Sequence, residues 1–260
     1  MLTSTANSRI QNLRKVIHDP AEWPVFAVEG VRAMEEAIRA GVRVESVFYS
    51  ARLEATPRGL TLLDSLVKRG AEKVHVAENV LDRITATKQS QGAVAVIPKL
   101  EWSLEDILPT GQLIFMLDSL RDPGNLGTIL RVADAFGLGG IIATPDSVDV
   151  YNQKVVRAAM GSIFRVPIVY LPIPEALAIL SEEDYRVYRT EARTGQPLSA
   201  LHGRAERRAV LLGNEAHGVH PEHARLISEC VHIPMTGAAE SLNVAVTAGI
   251  VAYGMTEPAE

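Results

Sequence analysis

The sequence holds a single cysteine, Cys230, among 260 residues. One thiol cannot cross-link the chain to itself and builds no cysteine-based metal cluster, which suits a reducing compartment. The strand-like run CVHIP around it reads as burial of a small apolar side chain. Long apolar runs are missing as well. The opening residues, MLTSTANSRIQNLRKVIHD, lack the uninterrupted apolar core of a signal peptide, and no stretch approaches the roughly 18 residues of a membrane span, which predicts a cytoplasmic protein. Repeats and low-complexity tracts are absent. With 47% hydrophobic and 22% charged residues, the composition is that of an ordinary soluble chain of one large or two modest domains.

An excess of positive charge is also lacking. The net charge of -5 runs against nucleic-acid binding, which needs Lys and Arg to neutralise phosphates. The distribution softens this objection. Up to Thr110 there are 14 Lys and Arg against 14 Asp and Glu, and after it 12 against 17, so the acidic excess lies wholly in the C-terminal half. Arg9, Arg14 and Lys15 fall within the first eighteen residues, which hold no acid.

Periodicity predicts an α/β protein in two parts. In the first, Ile10, Leu13 and Ile17 share one helical face; VFAVEG, VESVFYS, KVHVA and GAVAVI read as strands, with helices over Val31–Ala40, Leu60–Lys68 and Glu78–Ile84. A polar loop, TATKQSQG, offers Lys88 to RNA. Residues 1–98 are thus a small α/β domain, 99–111 a Pro-containing linker and 112–260 a second domain. There, strands QLIFMLDS, GGIIATP, VPIVYL, YRVYRT, RAVLLGNEA and CVHIPM alternate with helices, the last over Ser241–Met255. Continuous apolar strands alternating with helices argue for a parallel sheet covered on both faces.

Three strand ends in this half run into turns rich in small and polar residues. They are LDSLRDPGNLGTILRVADAFG with Asn125 and Arg131, LLGNEAHGV with Gly213, Asn214 and Glu215, and IPMTGAAESLNVAVTAG with Ile233, Met235, Ser241, Leu242 and Asn243. Ligands of parallel sheets sit beyond the carboxyl ends of strands, so these turns are expected to converge on one pocket. Gly213 would let backbone approach a ligand, Ile233, Met235 and Leu242 would wall it, and the first N–H groups of the last helix would meet an acceptor, which suits a flat adenine. Neither a dinucleotide fingerprint nor a phosphate loop is present. Asp118 and Asp122 read as turn-formers rather than a catalytic pair. His217, His220 and His223 cross a Pro-containing turn without completing a familiar zinc site, so no metal is expected.

Taken together, Asn-x5-Arg, G-N-E and S-L-N-V resemble the three motifs of the SpoU (TrmH-type) branch of the SPOUT methyltransferases, over essentially Gln112–Met255. FAVEGVRAMEEAIRAG resembles the ribosomal-protein-like substrate-binding domain attached to many rRNA-modifying members. The resemblance implies a deep trefoil knot, a homodimer, and an S-adenosylmethionine site at Leu212, Gly213, Asn214, Ile233, Met235, Ser241 and Leu242. It further implies ribose 2′-O-methylation of structured RNA, with large-subunit (23S) rRNA the first expectation, tRNA the second, and a non-catalytic RNA-binding member the rival of another class. Catalytic roles fall on Arg131, Asn125, Glu215, Ser241 and Asn243, and RNA contacts on Arg9, Arg14, Lys15, Lys88 and Arg157. Family accounts give the arginine as a general base, but a guanidinium stays protonated, so Arg131 is read as stabilising a developing alkoxide or anchoring a phosphate.

Overall fold

A computed structural model describes residues 1–85, 91–109, 112–202 and 206–256. The chain opens with α1 (Ser8–His18), β1 (Val25–Glu29), α2 (Val31–Arg39), β2 (Ser46–Tyr49), α3 (Ala51–Glu54) and α4 (Pro57–Lys68). Next come β3 (Glu72–His75), α5 (Glu78–Ile84), β4 (Ala93–Pro98), α6 (Leu104–Ile107), β5 (Leu113–Leu117) and α7 (Pro123–Ala135). These lead to β6 (Gly140–Ala143), α8 (Gln153–Ala159), β7 (Ile168–Tyr170), α9 (Ile173–Glu182), β8 (Arg186–Glu191) and β9 (Gln196–Pro197). The described elements end with β10 (Arg208–Leu212), α10 (Pro221–Leu226), β11 (Cys230–His232) and α11 (Val244–Met255). They divide into two compact units, Met1–Glu101 with Tyr151–Phe164, and Trp102–Val150 with Arg165–Glu260.

The first unit is built on a four-stranded sheet of order β1-β4-β2-β3. β4 runs antiparallel to both β1 and β2, and β3 parallel to β2. Helix α1 starts where the Asn7 side chain accepts the Arg9 N–H at 3.0 Å, and buries Ile10, Leu13, Val16 and Ile17 against Val74, Val76 and Val94. Helix α4 begins three residues before the expected Leu60, because Thr56 caps it and Pro57 occupies its first turn. Helix α8 belongs to this unit. Gln153 donates to the Ala27 carbonyl at 2.8 Å, and the Phe26 ring lies 4.7 Å from that of Tyr151.

The second unit carries a seven-stranded sheet of order β7-β6-β5-β10-β8-β11-β9, with every pairing parallel. LIFML, GIIA and RAVLL are buried along their whole length, as strands covered on both faces must be. One face packs Ile114, Met116, Ile142, Ala209 and Leu211 on Ile173, Ala176 and Leu180 of α9. Ile107 of α6 joins this core, and a Cβ at Gly140 would stand 2.7 Å from its Cγ1, so only glycine lets the two segments close. Within β10 a single cation breaks the apolar run. Arg208, 1% exposed, donates from Nη1 to the Leu201 carbonyl and from Nη2 to that of Met255, both at 2.7 Å. Among the described residues no helix is long and apolar enough to cross a membrane.

Candidate functional site

Strands β5, β10, β8 and β11 stand side by side and parallel, so their carboxyl ends share one edge of the sheet. A cavity of about 560 Å3 opens there. Leu212, Gly213, Asn214, Ile233, Met235, Ser241 and Leu242 all line it, together with Glu215 and Asn243. Sequence reasoning overlooked a further wall, Thr190, Glu191 and Ala192, which the end of β8 supplies. The signal lay in YRVYRT being a strand of the same parallel sheet; its place beside β10 is a matter of strand order, which periodicity does not carry. Glu240, Thr247 and Val251 also line it and were not singled out either.

The loop after β10 is shaped by its glycine. A Cβ on Gly213 would lie 2.1 Å from both the Gly218 carbonyl carbon and the Val219 nitrogen. The backbone returns this closely because Asn214 and Gly218 exchange two N–H to carbonyl bonds, both 2.9 Å. The Asn214 amide then donates to the Ser119 carbonyl at 2.7 Å. Ser119 has the left-handed backbone (φ 55°) that few non-glycine residues adopt, and is held there by its N–H to Thr144 Oγ1 at 2.8 Å. Below this turn a hydrogen bond from Thr144, aided by Ser119 and the Arg121 guanidinium and opposed by burial, holds the Asp146 carboxyl below the usual carboxylate range.

Three distant segments meet in one hydrogen-bond chain. Glu215 Oε1 accepts from Asn125 Nδ2 at 2.9 Å and from the Asp122 N–H at 3.2 Å. Asn125 Oδ1 in turn accepts from Asn243 Nδ2 at 3.0 Å, and Asn243 Oδ1 receives the N–H groups of Ala245 and Val246. Both ends of the Asn125 amide are therefore committed, which fixes its orientation. Asp122 caps α7, and Asn243 caps α11, which starts at Val244 rather than at the expected Ser241. Ser241 is left exposed on the cavity wall.

Arg131 sits two turns into α7, exposed, outside the lining of the cavity and without a hydrogen bond or ion pair to a described residue. Arg9 on α1 is clamped by Glu72, with N–O distances of 2.9 and 2.6 Å, whereas Arg14 and Lys15 are exposed. Arg157 lies on α8 with Nη1 buried and without a hydrogen-bond partner among the described residues. Lys88 lies outside the described residues. Its loop neighbour Gln91 caps α2, accepting the Val31 N–H at 2.7 Å. Asp118 and Asp122 form no pair: Asp122 caps a helix, while Asp118 is buried and accepts the His220 N–H at 2.7 Å. Among the described residues no group of three or more His, Cys, Asp or Glu is placed to hold a metal ion.

Residues 112–253 match the model of the SpoU rRNA Methylase family, and residues 8–95 that of the MRM3-like substrate binding domain. The chain is 30% identical over 255 residues to the 23S rRNA (guanosine(2553)-2'-O)-methyltransferase RlmP of Bacillus subtilis, covering 97% of each. It is 31% identical over 248 residues to the 23S rRNA (adenosine(1067)-2'-O)-methyltransferase of Streptomyces laurentii, covering 94% of this chain and 90% of that one. Among solved structures, the AdoMet-bound rRNA methyltransferase from Sinorhizobium meliloti superposes with a TM-score of 0.86 at 29% identity, over 98% of this chain and 96% of the other.

Proposed function

The chain belongs to the SpoU rRNA Methylase family, and from that premise we propose that it is an S-adenosylmethionine-dependent methyltransferase acting on a ribose 2′-hydroxyl of 23S rRNA in the cytoplasm. The observation that carries the proposal is the cavity at the strand ends, lined by the second and third motif segments and joined to the first through the hydrogen bonds of Asn125 to Glu215 and Asn243. Its volume falls within the roughly 300–1,000 Å3 of ligand pockets. Ile233, Met235 and Leu242 give an apolar wall, Gly213 leaves backbone exposed where a side chain has no room, and Asn214, Glu215 and Ser241 give polar edges, so the residues fit an adenosine-bearing methyl donor.

When bound, S-adenosylmethionine supplies a sulfonium methyl that is already strongly electrophilic. The protein's task is then alignment of the ribose oxygen and management of its proton. Leu212, Gly213, Asn214, Ile233, Met235, Ser241 and Leu242 hold the donor. Asn125, fixed between Glu215 and Asn243, orients the ribose, and Ser241 holds it from the cavity wall. Arg131, permanently cationic and uncommitted, stabilises the developing alkoxide or anchors a phosphate, and the proton leaves to a substrate phosphate or water.

Residues 1–98 are assigned to RNA capture as a ribosomal-protein-like domain, with Arg9, Arg14, Lys15 and Lys88 as phosphate contacts, 99–111 as linker and 112–260 as the transferase domain, from which Arg157 adds a further phosphate contact. The transferase domain is assigned a deep trefoil knot, a rare departure from unthreaded topology. A homodimer through the same domain is supported by α11, which leaves Val246 50% and Tyr253 73% exposed, with Phe136 of α7 edge-on to Tyr253.

Incubation with labelled S-adenosylmethionine and 23S rRNA lacking its own modifications, followed by digestion to nucleosides, tests the proposal. A 2′-O-methyl nucleoside is expected. Label in tRNA alone would move the substrate, label on a base would move the acceptor atom, and neither product nor cofactor binding would reject the enzyme.

A further inference from the structure

Asp118 and His223 take no part in the methyl transfer derived above, yet both are placed around the loop that walls the cavity. The Asp118 carboxylate closes β5 and is 1% exposed. A buried carboxylate is tolerated only where its oxygens are partnered. Oδ1 receives the Ser119 hydroxyl at 3.2 Å, and Oδ2 receives the His220 N–H at 2.7 Å. On the same Oδ2, at 3.0 Å, lies Nδ1 of His223. That nitrogen is itself shielded from solvent and stands off the direction of an ideal ring N–H bond, so it meets the carboxylate as a close polar contact. Asp118 makes no ion pair with a Lys or Arg among the described residues, and the His223 ring is the side chain that faces its Oδ2 there.

The geometry of the loop gives these contacts their meaning. Residues 213–219 all line the cavity. The loop is tied to the turn after β5 at its start, where Asn214 donates to the Ser119 carbonyl, and near its middle, where Glu215 accepts from Asp122 and Asn125. At its far end, where Val219 packs on the core, the His220 N–H ties it to Asp118, and His223 reinforces that tie from α10, one turn further on. His220 also caps α10, its Nδ1 accepting the Glu222 N–H at 3.4 Å, so loop end and helix start are anchored at one carboxylate.

We propose that Asp118 and His223 are positioning residues that lock the 213–220 loop in its ligand-ready form, a role that rests on this cavity being the seat of the methyl donor. A loop locked before binding loses little freedom when the donor arrives, and an unlocked one must be ordered by the donor. Loss of the lock therefore weakens donor binding. Once the donor is saturating, the loop is ordered and the chemistry proceeds as before.

The test uses the whole 260-residue chain with His223→Ala, His223→Asn, Asp118→Asn and the Asp118→Asn/His223→Ala pair. S-adenosylmethionine affinity is measured by calorimetry, and kcat and both KM values with unmodified 23S rRNA. His223→Ala is expected to weaken donor binding about tenfold, with kcat at saturating donor and the RNA KM within about twofold of the parent. His223→Asn, whose side-chain amide keeps a polar group at the place of the ring Nδ1, restores most of the affinity. The double variant binds no more weakly than Asp118→Asn alone, because both act through one contact. The proposal is overturned if His223→Ala binds the donor like the parent, if kcat falls in step with donor affinity, if Asn does no better than Ala, or if the two single effects add. Should Asp118→Asn not fold, the Ala and Asn variants of His223, whose side chain is 23% exposed on a surface helix, decide alone. A parent protein that binds no S-adenosylmethionine overturns the cavity assignment and this inference with it.

Discussion

Replacing Gly213 with alanine sets one methyl group against the backbone of its own loop. The added carbon would lie 2.1 Å from the Gly218 carbonyl carbon and the Val219 nitrogen and 2.6 Å from the Gly218 oxygen. No rotamer relieves this, because a Cβ is fixed by the backbone and its neighbours here are backbone too. The loop must open, which breaks the two 2.9 Å bonds exchanged by Asn214 and Gly218. At about 0.5–1.5 kcal/mol net for each bond, about 1–3 kcal/mol of local order is lost, equivalent to a donor affinity lower by roughly 5- to 150-fold. The strand before the loop is buried and paired on both sides, so the global melt should move by only a few degrees. Calorimetric titration with S-adenosylmethionine, beside thermal denaturation, reads both quantities. Donor binding within twofold of the parent would refute the placement of the donor against Gly213.

Four further outcomes follow from the geometry. Arg131→Ala abolishes turnover while leaving donor affinity nearly intact, since Arg131 lies outside the cavity lining; equal loss of both in a folded protein would move it into the donor site. Asn243→Ala removes the cap of α11, about 1 kcal/mol by urea denaturation, and lowers kcat further than that because Asn125 loses its partner; a stability loss with unchanged kcat would contradict this. Arg208→Met strands the buried carbonyls of Leu201 and Met255 and is expected to destabilise by about 2–4 kcal/mol, where an unmoved urea midpoint would show that they find other donors. The Asp146 carboxyl titrates lower in the folded protein than in the unfolded one, so its stabilisation is present above the unfolded carboxylate pKa and is lost as pH falls through the folded value; Asp146→Asn should flatten the acid limb of a Tm against pH curve, and an unchanged limb would count against it.

How much of this was legible in the chain follows from which interactions are local. The helices α1 and α5 and the strands of both sheets are written in short-range patterns, apolar faces at helical spacing and continuous apolar runs. Much of the cavity's lining was legible because the strand ends after β10 and β11 carried small and polar residues where a parallel sheet presents ligands. The turn after β5, expected beside them, gives no described lining residue and meets the wall through hydrogen bonds of Asp122 and Asn125. The missed features depend on partners far away in sequence. Arg9 looks like a free cation until Glu72, 63 positions on, closes around it. Helix α8 looks like one more repeat of the C-terminal pattern, yet Gln153 and Tyr151 meet Ala27 and Phe26. At S-L-N-V, Ser241 and Asn243 are both good caps, and nothing local chooses between them; the choice falls to Asn243, whose amide also reaches Asn125. Strand β9, two residues long, has no period to read.

Charge shows the same dependence on partners, and it bears on how an acidic protein handles RNA. The excess of acid lies after Thr110, but much of that acid is spent internally: Asp146 pairs with Arg121, Asp134 with Arg165, Glu206 and Glu229 with Arg186, Glu191 with Arg189, and Glu183 with Arg207. Arg131, Arg193 and Arg225 form no ion pair with a described residue, and Arg193 directly follows the Ala192 that lines the cavity. Phosphates respond to cations free to release counterions, not to the sum over the chain. The net charge of -5 is therefore compatible with RNA binding near the strand ends, and Arg14 and Lys15, exposed on α1, add cations that the Arg9–Glu72 clamp does not neutralise. Removing Glu72 should then strengthen RNA binding by unmasking Arg9, whereas removing Arg9 should weaken it less than removing Arg14; the reverse order, measured as the salt dependence of RNA affinity, would place the contact surface elsewhere.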